Sequence, residues 1–253
     1  MDAFSLDGHV SVVTGGNRGI GLGMAEGLAE AGAKVAVWGR SEEYNNAAVT
    51  ELTTAGGDAV SFVCDVSDRS SVDAALAGTV EAYGKVDSLF ANAGVSEGVR
   101  YEDMTQDQWD FVLGINVTGA HHSIQAVTNQ MIAQGEGGSV VITASIAAHL
   151  GLPTAPHYSA SKGAVLQLAR ALAVRLARHN IRVNAISPGW IRTEMTEEVQ
   201  ANEQMNQVAL MRTPMRRWGL PEDFAGPAVF LASGASAFMT GSELMVDGGF
   251  AVS

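Results

Sequence analysis

The stretch that most restricts how this chain can fold is the turn after its first apolar run. Val10–Val13 leads directly into Thr14-Gly15-Gly16-Asn17-Arg18-Gly19-Ile20-Gly21, and the segment GIGLGMAEGLAEAGA that follows carries apolar residues at helical spacing. A strand, a glycine-rich turn and a helix N-terminus in that order are where backbone N–H groups and the helix dipole would meet a dinucleotide pyrophosphate, though a glycine-rich turn by itself also fits a mere tight connection. Glycine lets such a turn close tightly and come near phosphate oxygens. The spacing is G-x-x-x-G-x-G at Gly15, Gly19 and Gly21, not G-x-G-x-x-G.

The rest of the chain repeats the alternation. Strand candidates are Val10–Val13, Lys34–Trp38, Ala59–Val63, Ser88–Ala91, Ser139–Thr143, Arg182–Ser187 and Glu243–Val246, each short and bounded by Gly, Asp, Asn or Ser. Helices are predicted near 19–31, 42–55, 68–83, 105–134, 157–179, 195–210 and 221–233. Continuous apolar strands alternating with helices predict an α/β fold, a sheet of about seven parallel strands covered on both faces. With no repeat, low-complexity tract or linker, the 253 residues read as one domain.

A formal charge of −12 argues against nucleic acid or an anionic membrane as partner. The windows 137–161 and 224–242 lack Lys, Arg, Asp and Glu, but Gly, Ser, Thr and Pro interrupt both, so neither reads as a membrane span. The first residues, MDAFSLDGHVSVVTGG, do not read as a signal peptide. The lone cysteine, Cys64, forms no internal disulfide and reads as a small core residue. A cytoplasmic protein is expected. No metal site is expected: His121 and His122 are adjacent, so on a helix they diverge, and no Cys pair or His-x-x-x-His pattern occurs.

Tyr158-Ser159-Ala160-Ser161-Lys162 sets a phenol and an ammonium one helical turn apart, on one face. A free tyrosine titrates near pH ~10, and a cation held beside it favours the phenolate. Such a pair moves a proton on an alcohol or carbonyl oxygen without a metal. Ser145 lies thirteen residues upstream, just past an apolar strand, where open α/β sheets place ligands. It also fits a capping or turn serine. Asn116-Val117-Thr118 matches a glycosylation sequon, but nothing points to secretion.

Taken together, TGGNRGIG at 14–21, Asp65-Val66, Asn92-Ala93-Gly94, Asn116, Ser145, YSASK at 158–162, Pro188-Gly189 and SELMVDGG at 242–249 carry a resemblance. In this order and spacing the chain resembles the short-chain dehydrogenase/reductase family along essentially its whole length, notably its carbonyl reductase and 3-oxoacyl reductase-like members. The resemblance implies a Rossmann-like doubly wound sheet and an NAD(P)-dependent oxidoreductase acting on a ketone or secondary alcohol. It implies Tyr158 as general acid or base and Ser145 as the hydroxyl holding the substrate oxygen. Lys162 would tune the phenol and bind the nicotinamide ribose, and Asn116 would kink its helix and hold a relay water.

For the cofactor, the resemblance implies Gly15, Asn17, Arg18, Gly19, Ile20 and Gly21 at the phosphates, and Asp65 and Val66 at the adenine. Asn92, Ala93 and Gly94 would pass the ribose, and Pro188, Gly189, Ile191 and Thr193 would line the nicotinamide. Gly39 stands where NAD-using relatives carry Asp, and Arg40 follows it. A guanidinium there accepts a 2′-phosphate, so NADP(H) is favoured and NAD(H) stays possible. A solvated Arg40 stacking on adenine is the competing reading.

The resemblance makes 194–217 a substrate lid in which Met195, Met205, Leu210 and Met211 either form a pliable apolar wall or pack the lid down. Ala147, His149 and Trp190 are candidate substrate contacts; His157 flanks the cleft, and Trp190 fits the core equally well. The pocket reads as partly apolar and without a cationic anchor, which disfavours a small dicarboxylate. A homotetramer or homodimer would form through the helices near 105–134 and 157–179. Alternatives are a 3-oxoacyl-thioester reductase docking an acidic acyl carrier protein through Arg170, Arg175 and Arg178 (or acting on a CoA thioester), a sugar or polyol dehydrogenase, and a noncatalytic nucleotide sensor.

Overall fold

The structure is a computed structural model describing residues 3–253, so Met1 and Asp2 of the N-terminal reading lie outside it. Seven strands are present: β1 Val10–Thr14, β2 Lys34–Gly39, β3 Asp58–Val63, β4 Ser88–Ala91, β5 Gly138–Thr143, β6 Ile181–Pro188 and β7 Glu243–Val246. They form one sheet in the order β3-β2-β1-β4-β5-β6-β7, with every neighbouring pair parallel. Each lies within a residue of the run expected from the sequence.

The central strands are buried because both faces are covered, while the edge strands β3 and β7 are only partly so. Alternate residues face opposite ways along a strand. Val12, Ala36 and Trp38 join one apolar cluster with residues of α3 (Arg69–Tyr83), α5 (Ala120–Gln134) and α6 (Pro156–Leu176). Val13, Val35 and Val37 join the other, with α1 (Gly19–Glu30), α2 (Glu42–Thr54) and α9 (Ala225–Ala232). Cys64 is buried in the first cluster, and burial pushes its thiol up to about 12, so it is inert core.

Three predicted helices are broken. The 105–134 stretch is α4 (Gln106–Leu113), a π-helical turn at Gly114–Gly119, and α5. A π turn inserts a residue into the ladder and often marks a functional site. The 195–210 stretch is α7 (Glu197–Ala201) and α8 (Glu203–Arg212), because the Asn202 side chain accepts from Met205 N at 3.1 Å and starts a new helix. The 221–233 stretch opens as a 3-10 turn at Pro221–Phe224 before α9.

The chain reverses its direction of winding between β1 and β4, so a crevice opens beyond their C-terminal ends. The glycine turn follows β1, and Asn92-Ala93-Gly94 follows β4.

Candidate active site at the sheet crevice

The glycine turn is held open by the sheet. Thr14 Oγ1 accepts from Asn92 N at 2.9 Å and Ala93 N at 3.0 Å, while Asn92 Nδ2 donates to Thr14 O at 3.1 Å. Thr143 Oγ1 of β5 donates to Asn92 Oδ1 at 3.2 Å. Gly15 and Gly19 have φ of 64° and 53°, and a Cβ at Gly21 would sit 2.1 Å from Gly15 O. The N-terminus of α1 has no side-chain cap and no acidic residue in its first turn. Its free N–H groups and narrow glycine cradle suit a phosphate anion, so a dinucleotide fits here.

The far end of this cradle is closed by two asparagines. Asn17 Nδ2 donates to Asn45 Oδ1 at 2.7 Å, and Asn45 Nδ2 donates to Gly39 O at 2.9 Å and Phe62 O at 3.2 Å. A Cβ at Gly39 would lie 2.4 Å from both amides. A side chain at position 39 would have to push this amide pair apart, and with glycine there the usual acidic partner of an unphosphorylated ribose is missing. Arg40 is exposed beside it. Arg18, expected at the phosphates, instead pairs with Glu194 and lies 5.3 Å from the Tyr44 ring centroid. Asp65 is tied into a turn, its Oδ1 accepting from Ser67 N and Oγ, and Val66 is buried against Gly119 of the π turn.

Lys162, Tyr158, Asn116 and Ser145 converge on the other side of the crevice. Lys162 is buried; its Nζ donates to Thr143 O at 2.8 Å and stands 5.5 Å from the Tyr158 ring centroid. Asn116, in the π turn, accepts from Val95 N at 2.8 Å and donates to Val95 O and Ser161 Oγ, each at 2.9 Å. The kink expected of this asparagine is that π turn. Ser145 does act as a cap, with Oγ accepting from Ala147 N at 3.1 Å, and its hydroxyl also lies close enough to the Tyr158 phenol to act on its titration. The two readings of Ser145 are compatible.

The electrostatics differ from the sequence expectation. Burial pushes the Tyr158 phenol above its ordinary value, and the opposing influence is Ser145, not the lysine. Desolvation acts on both members of the pair: Lys162 is itself pushed down to about 8. The sign for stability follows. The unfolded lysine titrates near 10.5 and the folded one near 8, so the fold carries a buried ammonium at neutral pH. That penalty is about 3 kcal/mol below pH ~8 and fades as the pH rises toward ~10.5. Lys162→Met is expected to raise Tm at pH ~7 by about 5 °C, less at pH ~10, while removing activity. A lower Tm at neutral pH would show that the lysine stabilises the fold.

A family model described as Enoyl-(Acyl carrier protein) reductase matches residues 15–251. The 2-dehydro-3-deoxy-D-gluconate 5-dehydrogenase of Dickeya dadantii is 40% identical over 253 residues, covering 99% of this chain and 98% of the relative. The chain belongs to the short-chain dehydrogenase/reductase family. A 3-oxoacyl acyl-carrier-protein reductase of Chlamydia pneumoniae is 38% identical over 246 residues, covering 97% and 98% of the two chains. Among solved structures, a gluconate 5-dehydrogenase from Burkholderia cenocepacia in complex with NADP and tartrate superposes with a TM-score of 0.95 at 35% identity, covering 100% of this chain and 98% of that one.

In this short-chain dehydrogenase/reductase the substrate side departs most from expectation. Ala147 is buried in the core, so it offers no open contact surface. His149 Nε2 pairs with Glu243 Oε1 at 2.7 Å, and that oxygen also accepts from Ser187 Oγ at 2.5 Å. The ring is thus drawn to β7. Trp190 stacks edge-on against Trp218 and Phe250, with centroids 5.8 and 6.4 Å away. Met195 is 51% exposed and Met205 and Met211 are also exposed, while Ala209 is the buried residue of α8. Thr193 Cγ2 lies 3.2 Å from where a Cβ on Gly19 would be, and Ile191 is buried against Gly219. Pro188 ends β6, and Gly189 N donates to Val246 O at 3.1 Å.

Asn45, Ser161, Glu194 and Glu243 belong to this region and were missed from the sequence. Ser161 was inside YSASK but carries no titratable group. Asn45 lies in a polar helix, where nothing in its neighbours marks it as buried.

Proposed function

We propose that this protein transfers a hydride between a nicotinamide cofactor and a ketone or secondary alcohol of sugar or polyol size. The observation that carries the reading is the buried Lys162 ammonium facing the Tyr158 ring beside the glycine cradle. When bound, NADP(H) or NAD(H) supplies or accepts the hydride. In reduction the Tyr158 phenol gives its proton to the carbonyl oxygen; in oxidation the phenolate takes it from the alcohol. Ser145 holds the same oxygen. Lys162 offsets the phenolate charge and reaches the ribose, and Asn116 fixes the backbone of Val95 and the helix carrying Ser161. The names of the relatives favour sugar-type substrates over acyl thioesters, since Arg170 lies 3.8 Å from Glu243 and is partly neutralised for carrier docking.

Gly15, Asn17, Gly19, Ile20, Gly21, Asn92, Ala93 and Gly94 are assigned to the pyrophosphate and ribose. Asp65 and Val66 are assigned to the adenine, and Pro188, Gly189, Ile191 and Thr193 to the nicotinamide. NADP(H) is the favoured cofactor, held at the 2′-phosphate by Arg40, with Arg18 joining it by leaving Glu194. Arg40→Ala is expected to raise KM for NADPH by about tenfold and that for NADH less than about twofold. Equal effects in steady-state kinetics would reject the assignment.

The chain is taken as one cytoplasmic domain with a lid at 194–217. No helix among the described residues is long and apolar enough to cross a membrane. A homotetramer or homodimer through α4, α5 and α6 fits Val174 of α6, 85% exposed, and the exposed Phe111 of α4.

A further inference from the structure

The Ser145 turn and the end of β6 are fastened to one carboxylate. Glu243 opens β7, and its side chain is only 13% exposed. Its Oε1 accepts from His149 Nε2 at 2.7 Å and from Ser187 Oγ at 2.5 Å, partners 94 and 56 positions away in the chain. Its Oε2 stands 3.8 Å from the Arg170 guanidinium, about two turns beyond Lys162 on α6. Two of these partners adjoin the reacting centre. His149 ends the 3-10 turn Ile146–Ala148 that Ser145 opens. Within that turn Ala147 N donates to Ser145 Oγ at 3.1 Å, Ala148 N to Ser145 O at 2.9 Å, and His149 N to Ile146 O at 3.0 Å. Ser187 is buried and immediately precedes Pro188-Gly189, the residues assigned to the nicotinamide.

The fold alone does not call for an acid at this place. Leu244 and Val246, which follow Glu243 in β7, pack on the apolar cluster of α1 and α9. Alternate strand residues face opposite ways, so Glu243 faces α6, where an apolar side chain would bury without the cost of desolvating a charge. The carboxylate supplies direction instead. A single 3-10 turn has poor internal hydrogen-bond geometry, so its orientation depends on what its end is tied to. We propose that Glu243 is a positioning residue: through His149 and Ser187 it fixes the Ser145 hydroxyl relative to the nicotinamide side of the crevice. This rests on the dehydrogenase reading above.

The test is steady-state oxidation of gluconate, L-rhamnose, sorbitol and cyclohexanol by the full-length protein with NADP⁺, alongside cofactor Kd from fluorescence titration and Tm. Glu243→Leu is expected to lower kcat by about thirtyfold on whichever compounds wild type turns over, with cofactor Kd within about twofold and Tm no lower. Glu243→Gln is the rescue. Both hydrogen bonds fall on Oε1, which the amide oxygen can replace, so kcat should return to within about threefold of wild type. His149→Phe should lower kcat by about tenfold alone and add less than about twofold on top of Glu243→Leu, because the two act as one tie. If Glu243→Leu does not fold, His149→Phe decides, since that ring is exposed. Wild-type kcat in either variant, full additivity of the two, or an effect of His149→Phe confined to substrate KM overturns the proposal, while Tyr158-dependent turnover keeps the dehydrogenase reading. Turnover of none of these compounds by wild type overturns both.

Discussion

Tyr158→Phe is expected to lower turnover by about a thousandfold in either direction, with cofactor affinity nearly unchanged. The phenylalanine ring keeps the packing of α6 and the face turned to Lys162, so the change removes one hydroxyl and little else. On the proposed mechanism the carbonyl oxygen then loses its proton donor in reduction, and the alcohol its base in oxidation. Burial sets the pH signature. A phenol held above its ordinary value stays protonated through neutral pH, which serves reduction, whereas oxidation needs the phenolate and should climb with pH through the alkaline range. The variant should lose that alkaline rise along with its rate. Kinetics over a pH series, with cofactor titration by nicotinamide fluorescence, provides the check. Wild-type-like turnover would remove Tyr158 from the mechanism, and a matching loss of cofactor affinity would recast it as a positioning residue.

The fold was legible because its central strands are mostly apolar. A parallel sheet covered on both faces buries its central strands, so runs such as Val10–Val13 and Ser139–Thr143 stand out from their flanks without any alternation to read. The helices were less legible where a side chain overrides periodicity. Asn202 ends α7 and caps α8, and the π turn around Asn116 leaves no mark in the spacing of apolar residues. At the site, the residues assigned by motif cluster at the crevice, but their partners did not announce themselves. Glu194 and Glu243 look like ordinary surface acids in the sequence, and only the folded chain sets one on Arg18 and the other on His149. Pairing across more than 90 residues has no local signature. The sense of the Tyr158 shift was misread for a related reason: a sequence displays the neighbouring cation but not the desolvation that outweighs it.

Gly21→Ala is expected to abolish useful cofactor binding, raising Kd for NADP(H) by at least about a hundredfold, and to destabilise the fold by about 2–3 kcal/mol. On an exposed helix the same change would help, since alanine is the better helix former by about 1 kcal/mol. Gly226, in the first turn of α9, shows that ordinary case: a Cβ there meets nothing within 4 Å, and Gly226→Ala should be neutral or slightly stabilising. At Gly21 the new methyl would lie 2.1 Å from Gly15 O and 2.6 Å from Asn92 Nδ2. Neither obstacle can swing away. Gly15 O is backbone, and Asn92 is tied to Thr14 of β1 and Thr143 of β5, so the carboxamide moves only if the strand ends move. The start of α1 must then back out of the turn. That displaces the uncapped N–H groups from the place where the phosphates would lie. Comparing Tm and cofactor Kd for the two alanine variants separates helix propensity from cradle geometry. An unperturbed Kd in Gly21→Ala would mean that the dinucleotide is held somewhere other than this turn.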